Sequence, residues 1–194
     1  MNNQLFQPTA GQVSLLIAPS ATIAILMEMT AELATKSQVT VVDGGNRFDG
    51  YGLARALRRR TSSIPDALQN VLLSRTFTCY QMAVLLENFA QGTLPIIVLD
   101  LLSTFLDENV RLQTRQDLLG QCLMHLQRLS QTAAVVVWVR KRSLPGLEDA
   151  GLLEMVTESA QNIWRLEAPQ PEAQQLPLFS APSPSQSHLT PPKP

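Results

Sequence analysis

Apolar positions along this chain repeat with two periods that alternate. Short runs rich in β-branched residues and leucine, at Val13–Ala18, Val39–Asp43, Val71–Phe77, Ile96–Leu99, Ala133–Val139 and Asn162–Leu166, predict strands. Between them lie stretches with helical spacing. One covers Ala21–Thr35, a basic one Tyr51–Arg60, and one opens at Thr78 as a cap and runs to about Ala90, where Gly92 is the expected stop. Leu118, Leu119, Cys122, Leu123, Leu126 and Leu129 recur on one face of a longer helix over Gln113–Ser130. Ile64–Leu68 is a further short apolar segment. Continuously apolar strands separated by helices predict an α/β domain, with a mostly parallel sheet covered on both faces.

Composition limits where that domain ends. Of the 13 prolines, eight fall between residues 168 and 194, among Gln and Ser. Residues 168–194 are therefore expected to be a disordered tail, 11–167 the α/β core and 1–10 a loose leader. A chain of 194 residues is long enough for one core without disulfides or metals. Cys79 and Cys122 have no Cys-x-x-Cys or Cys/His ligand spacing, so no metal cofactor is expected and a reducing cytoplasm fits best. The apolar runs are too short for a membrane span, and the first residues lack the basic start and apolar stretch of a signal peptide. The net charge of −1 excludes a globally basic nucleic-acid binder but not a local basic patch.

In open parallel sheets ligands bind beyond the carboxyl ends of the strands, so the residues there carry the functional information. Asp43-Gly-Gly-Asn-Arg-Phe48 follows a strand. Asn70–Phe77 leads into a helix containing Gln81 and Leu85-Leu86, and Pro95-Ile-Ile-Val-Leu-Asp100 is a strand ending in an acid. In this order and spacing, over roughly residues 11–167, the chain resembles the RecA/RadA recombinase family. The resemblance implies a RecA-like fold with Asp100 as a residual Walker B-like carboxylate and Asp43 and Thr22 at a degenerate nucleotide site.

The departures from that family bear on activity. A phosphate loop needs glycines, whose backbone N–H groups surround the phosphates, and a lysine to neutralise them. The corresponding stretch, Ile17–Ala24, has neither, and Pro19 removes one more donor. The family's water-activating glutamate falls at Gly45, which cannot polarise water. No nucleotide cofactor and no ATP hydrolysis are therefore expected, and no other catalytic constellation replaces them. His125 reads as a packing residue. Cys79, close to a helix N-terminus, reads as a buried structural thiol, and Asp107-Glu108 and Glu148-Asp149 as solvated acidic pairs.

Two features suit binding. Arg140, Lys141 and Arg142 follow a strand at the place where the resemblance implies contact with single-stranded DNA. Arg55, Arg58, Arg59 and Arg60 form a second cluster, so that seven of 15 basic residues lie in two places. With no aromatic stacking platform beside either cluster, binding is expected to rest on charge. In the tail, Gln175, Leu176, Pro177, Leu178 and Phe179 resemble the peptide by which bacterial replication and repair proteins dock on the sliding clamp.

The expected role is a non-hydrolysing RecA-like accessory in DNA repair, recombination or damage-tolerant replication. Its expected partners are single-stranded DNA, another RecA-like protein or a DNA polymerase, and the clamp, with no membrane. P-loop-less proteins of the ImuA and SulA types share this general character. The alternatives are a protein-binding inhibitor or adaptor of SulA type without DNA affinity, and an atypical nucleotide-binding enzyme holding ATP around Asp43, Asp100 and Thr22. Phe6 and Ala10 lack the spacing of the family's subunit-joining peptide.

Overall fold

The computed structural model describes residues 8–141 and 151–167. Most of the predicted leader, Glu148-Asp149, Arg142 and the peptide Gln175–Phe179 lie outside the described residues. The remainder is an α/β domain whose six strands form one all-parallel sheet flanked by helices. In chain order the elements are β1 (Val13–Ala18), α1 (Ile23–Ala34), β2 (Val39–Asp43), α2 (Gly50–Arg58), α3 (Ile64–Gln69), β3 (Val71–Arg75), α4 (Cys79–Asn88), β4 (Ile96–Leu99), α5 (Leu112–Ser130), β5 (Val135–Arg140), α6 (Leu152–Ser159) and β6 (Asn162–Arg165). Short 3-10 turns cover Ser20–Thr22 and Leu101–Phe105.

Across the sheet the strands run β3-β2-β4-β5-β1-β6. Crossovers between parallel strands are right-handed, so the direction of travel decides which face a helix covers. The chain moves one way through β1, β2 and β3, placing α1, α2 and α3 against Leu16, Val41, Ile97, Val136 and Trp138. It then reverses through β4, β5 and β6, placing α4, α5 and α6 against Leu15, Val42, Val98 and Val137. Alternate residues of each central strand thus enter opposite apolar layers, which is why those strands read as continuous apolar runs. The reversal also makes two crevices at the carboxyl edge, one between β2 and β4 and one between β5 and β1, where successive helices leave to opposite faces.

Several boundaries differ from the sequence reading. The strand predicted over Val71–Phe77 stops at Arg75: the Thr76 amide makes the last bond of the β2–β3 ladder, to the Asp43 carbonyl, and the Phe77 amide bonds Gln81 Oε1 instead. The predicted Ala133–Val139 strand is displaced to Val135–Arg140, since the Ala133 amide is still bonded to Leu129 at the end of α5. Helix α4 ends at Asn88, with Phe89 already extended, and not at Gly92. Ile64–Leu68 forms most of the short helix α3, opened by Pro65 in its first turn. No described helix is long and apolar enough to cross a membrane.

Candidate functional site at the carboxyl edge

Register places a row of charge along the carboxyl edge of the sheet. Arg75 is opposite Asp43, Asp43 is opposite Leu99 with Asp100 next in chain, and Arg140 is opposite Ala18. The two carboxylates are buried, at 0% and 1% exposure, so each needs compensation inside the protein.

Asp43 obtains it from the loop that follows β2. Its Oδ1 accepts the Arg47 amide at 2.8 Å and its Oδ2 the Phe48 amide at 3.0 Å, while Arg75 Nε lies 3.4 Å from Oδ2. The carboxylate therefore shapes the Gly44–Phe48 loop. Asn46, at φ 52°, supplies the left-handed residue which that turn requires.

Asp100 is held differently. It follows β4 in the left-handed region, at φ 50° and ψ 53°, and its side chain makes no capping bond to the 3-10 turn it precedes. Its Oδ2 lies 3.2 Å from Arg140 Nε and 3.8 Å from Arg47 Nε, and Oδ1 accepts the Arg140 amide at 3.4 Å. Oδ2 accepts no hydrogen bond among the described residues, so it is held there by charge. Among the described residues, two buried acids thus meet three guanidinium groups.

The other predicted residues are distributed around this row. Thr22 is buried in the 3-10 turn after β1, without a side-chain capping bond. β5 stands between β1 and β4, about 10 Å of sheet in all. The Ala18 carbonyl before that turn accepts the Lys141 amide at 2.9 Å and the Trp138 indole N–H at 3.3 Å. Arg140 is directed inward to Asp100, whereas Lys141 is half-exposed and pairs with Glu167 at 3.5 Å.

Arg59 and Arg60 both pair with Glu28 of α1, and Arg60 also bonds the Ala56 carbonyl, while Arg58 makes no ion pair among the described residues. No described contact joins this cluster to Arg140 and Lys141. Tyr51 is 88% exposed on the first turn of α2, the helix that carries Arg55 and Arg58. His125 is half-buried and its Nδ1 has no hydrogen-bond partner among the described residues. Burial raises the Cys79 thiol above its ordinary value and pushes Cys122 up to about 12. Both cysteines are free and buried, which suits the structural reading. No group of three or more His, Cys, Asp or Glu side chains comes together among the described residues.

Two participants escaped the sequence reading. Arg47 and Arg75 lie inside quoted motifs, yet nothing local marks them as the partners of buried acids. A second feature is an apolar groove of about 540 Å³ between the end of β3 and α4, walled by Phe77, Tyr80 and Val84 and rimmed by Arg75, Gln81 and Asn88. Its only signal in the sequence is that α4 carries apolar residues around most of its circumference. No family model matches the chain, and no curated protein matches it.

Proposed function

We propose that this protein is a non-hydrolysing RecA-like accessory factor in DNA repair, recombination or damage-tolerant replication, which holds single-stranded DNA together with a partner recombinase or polymerase. The observation that carries this reading is the engagement of Asp100 by Arg140 and Arg47. An acid at the end of this strand would serve hydrolysis by holding a metal-bound nucleotide; here guanidinium groups already occupy it. The turn after β1 offers no glycine cradle, and Gly45 offers no base. Among the described residues three arginines face two acids at this edge, and Lys141, half-exposed and paired with Glu167, leads on to Arg142 in sequence, a concentration of cations that suits a phosphate backbone.

Titration of labelled single-stranded DNA by anisotropy, without nucleotide and at two salt concentrations, tests this. Micromolar binding is expected, weakening with salt as phosphate contacts require, and about tenfold weaker in Lys141→Ala/Arg142→Ala. Those two positions are chosen because Arg140→Ala would also strip Asp100 of its partner. Absence of binding at low salt would remove DNA from the reading. The SulA-type alternative, an adaptor that binds only protein, would then stand, favoured by the exposed apolar walls of the β3–α4 groove. Clamp docking through Gln175–Phe179 is tested separately by deleting residues 168–194, which should abolish clamp binding.

A further inference from the structure

The groove between β3 and α4 has exposed apolar walls. Phe77, Tyr80 and Val84 are 72%, 50% and 56% exposed. β3 beside it is an edge strand whose Leu72 and Leu73 are also exposed, and it carries no lysine or proline. Such a surface is ordinarily covered by something.

The course of the chain indicates what. After β6 the backbone continues along β1, with the Leu166 amide bonded to the Ile17 carbonyl, and Glu167 reaches Lys141 at the end of β5. The described chain therefore ends at the carboxyl edge of the sheet, on the β6 side. From β6 to β3 is five strand spacings, about 24 Å. Gln175 is eight residues beyond Glu167 and Phe179 twelve, spans of up to about 27 and 40 Å for an extended chain.

Leu176, Leu178 and Phe179 form the one dense apolar group between residues 168 and 194. Residues 168–179 contain one acid, Glu172, and no base, and they would pass over an edge that carries Arg47, Arg75 and Arg140. Pro169, Pro171 and Pro177 lower the entropy lost when such a segment is ordered.

We propose that the β3–α4 groove is an intramolecular docking site for the chain's own segment Gln175–Phe179, which crosses the carboxyl edge to reach it. While docked, the segment covers the groove and is withheld from any other partner, so a clamp or a protein bound at the groove competes with it. The inference stands on the groove and the chain path and does not depend on the DNA-holding role.

Hydrogen exchange on the full-length protein tests it. In Leu178→Asp/Phe179→Asp the amides of residues 76–88 should exchange about threefold faster or more, with those of β4 and β5 unchanged. In Val84→Asp, an exposed position, the amides of 175–179 should in turn exchange faster. Unchanged exchange at 76–88 in the tail variant would overturn the proposal. So would protection there that appears only as protein concentration rises, which would assign the groove to a second copy.

Discussion

A Cβ atom on Gly45 would lie 2.6 Å from both Cβ and Oδ2 of Asp100. No side chain fits while Asp100 faces Arg140, so the backbone after β2 can approach the end of β4 only through glycine. Gly45→Ala must displace either the loop that Asp43 shapes or the Asp100 side chain, and should cost about 2–3 kcal/mol in urea unfolding. Gly92→Ala, with nothing within 4 Å of the added methyl, should change stability by less than about 0.5 kcal/mol. The buried thiols make a pH prediction at the same scale. Cys122 is pushed from 9.0 to about 12 in the folded chain, chiefly by burial. A raised folded value means that its stability contribution is complete below about pH 9 and declines as pH rises toward 12. Urea midpoints followed from pH 8 upward should therefore fall less steeply in Cys122→Ala than in the parent protein, on the roughly 1.4 kcal/mol per pKa unit that linkage gives.

The ends of the elements show how far local sequence carries. Thr78 does cap α4, its hydroxyl accepting the Gln81 amide, and Asp49 caps α2 through Gly52. Both follow from an Ncap side chain bonding the third residue on, so both are legible in sequence. The far end of α4 is closed from outside: Arg128 of α5 donates from Nη2 to the carbonyls of Leu86, Glu87 and Phe89, at 3.2, 3.3 and 3.1 Å. Arg128→Met keeps the apolar stem and removes these donors. It should cost about 1–3 kcal/mol, with faster hydrogen exchange confined to the last turn of α4. Gly92 looked like the terminator because glycine commonly follows a helix. The actual stop is an extended Phe89 whose carbonyl meets a residue 39 positions later. The 3-10 turn Leu101–Phe105 and helix α6 went unforeseen because neither is long enough to establish a period. In α6 only Leu152 and Val156 are buried.

At the scale of the molecule, alternating strands and helices dictated an α/β sheet buried on both faces. The β-branched runs are separated by stretches long enough to cross over, so their strands run parallel. Strand positions, the longer helices between them and the internal role of the cysteines were legible, because they depend on neighbours within a few residues. The sequence likewise brought Asp43, Asp100 and Arg140 to strand ends. It could not show that Asp100 meets Arg140, 40 residues away, or that Arg75 reaches Asp43. Those contacts depend on the order β3-β2-β4-β5-β1-β6 and on the register within it. Both are settled by long-range packing of two apolar layers, and the energy of that packing is spread over the whole sheet. The chain by itself determined which residues stand at the carboxyl edge; only the closed sheet decided which of them neutralise one another, since charges pair by distance in space.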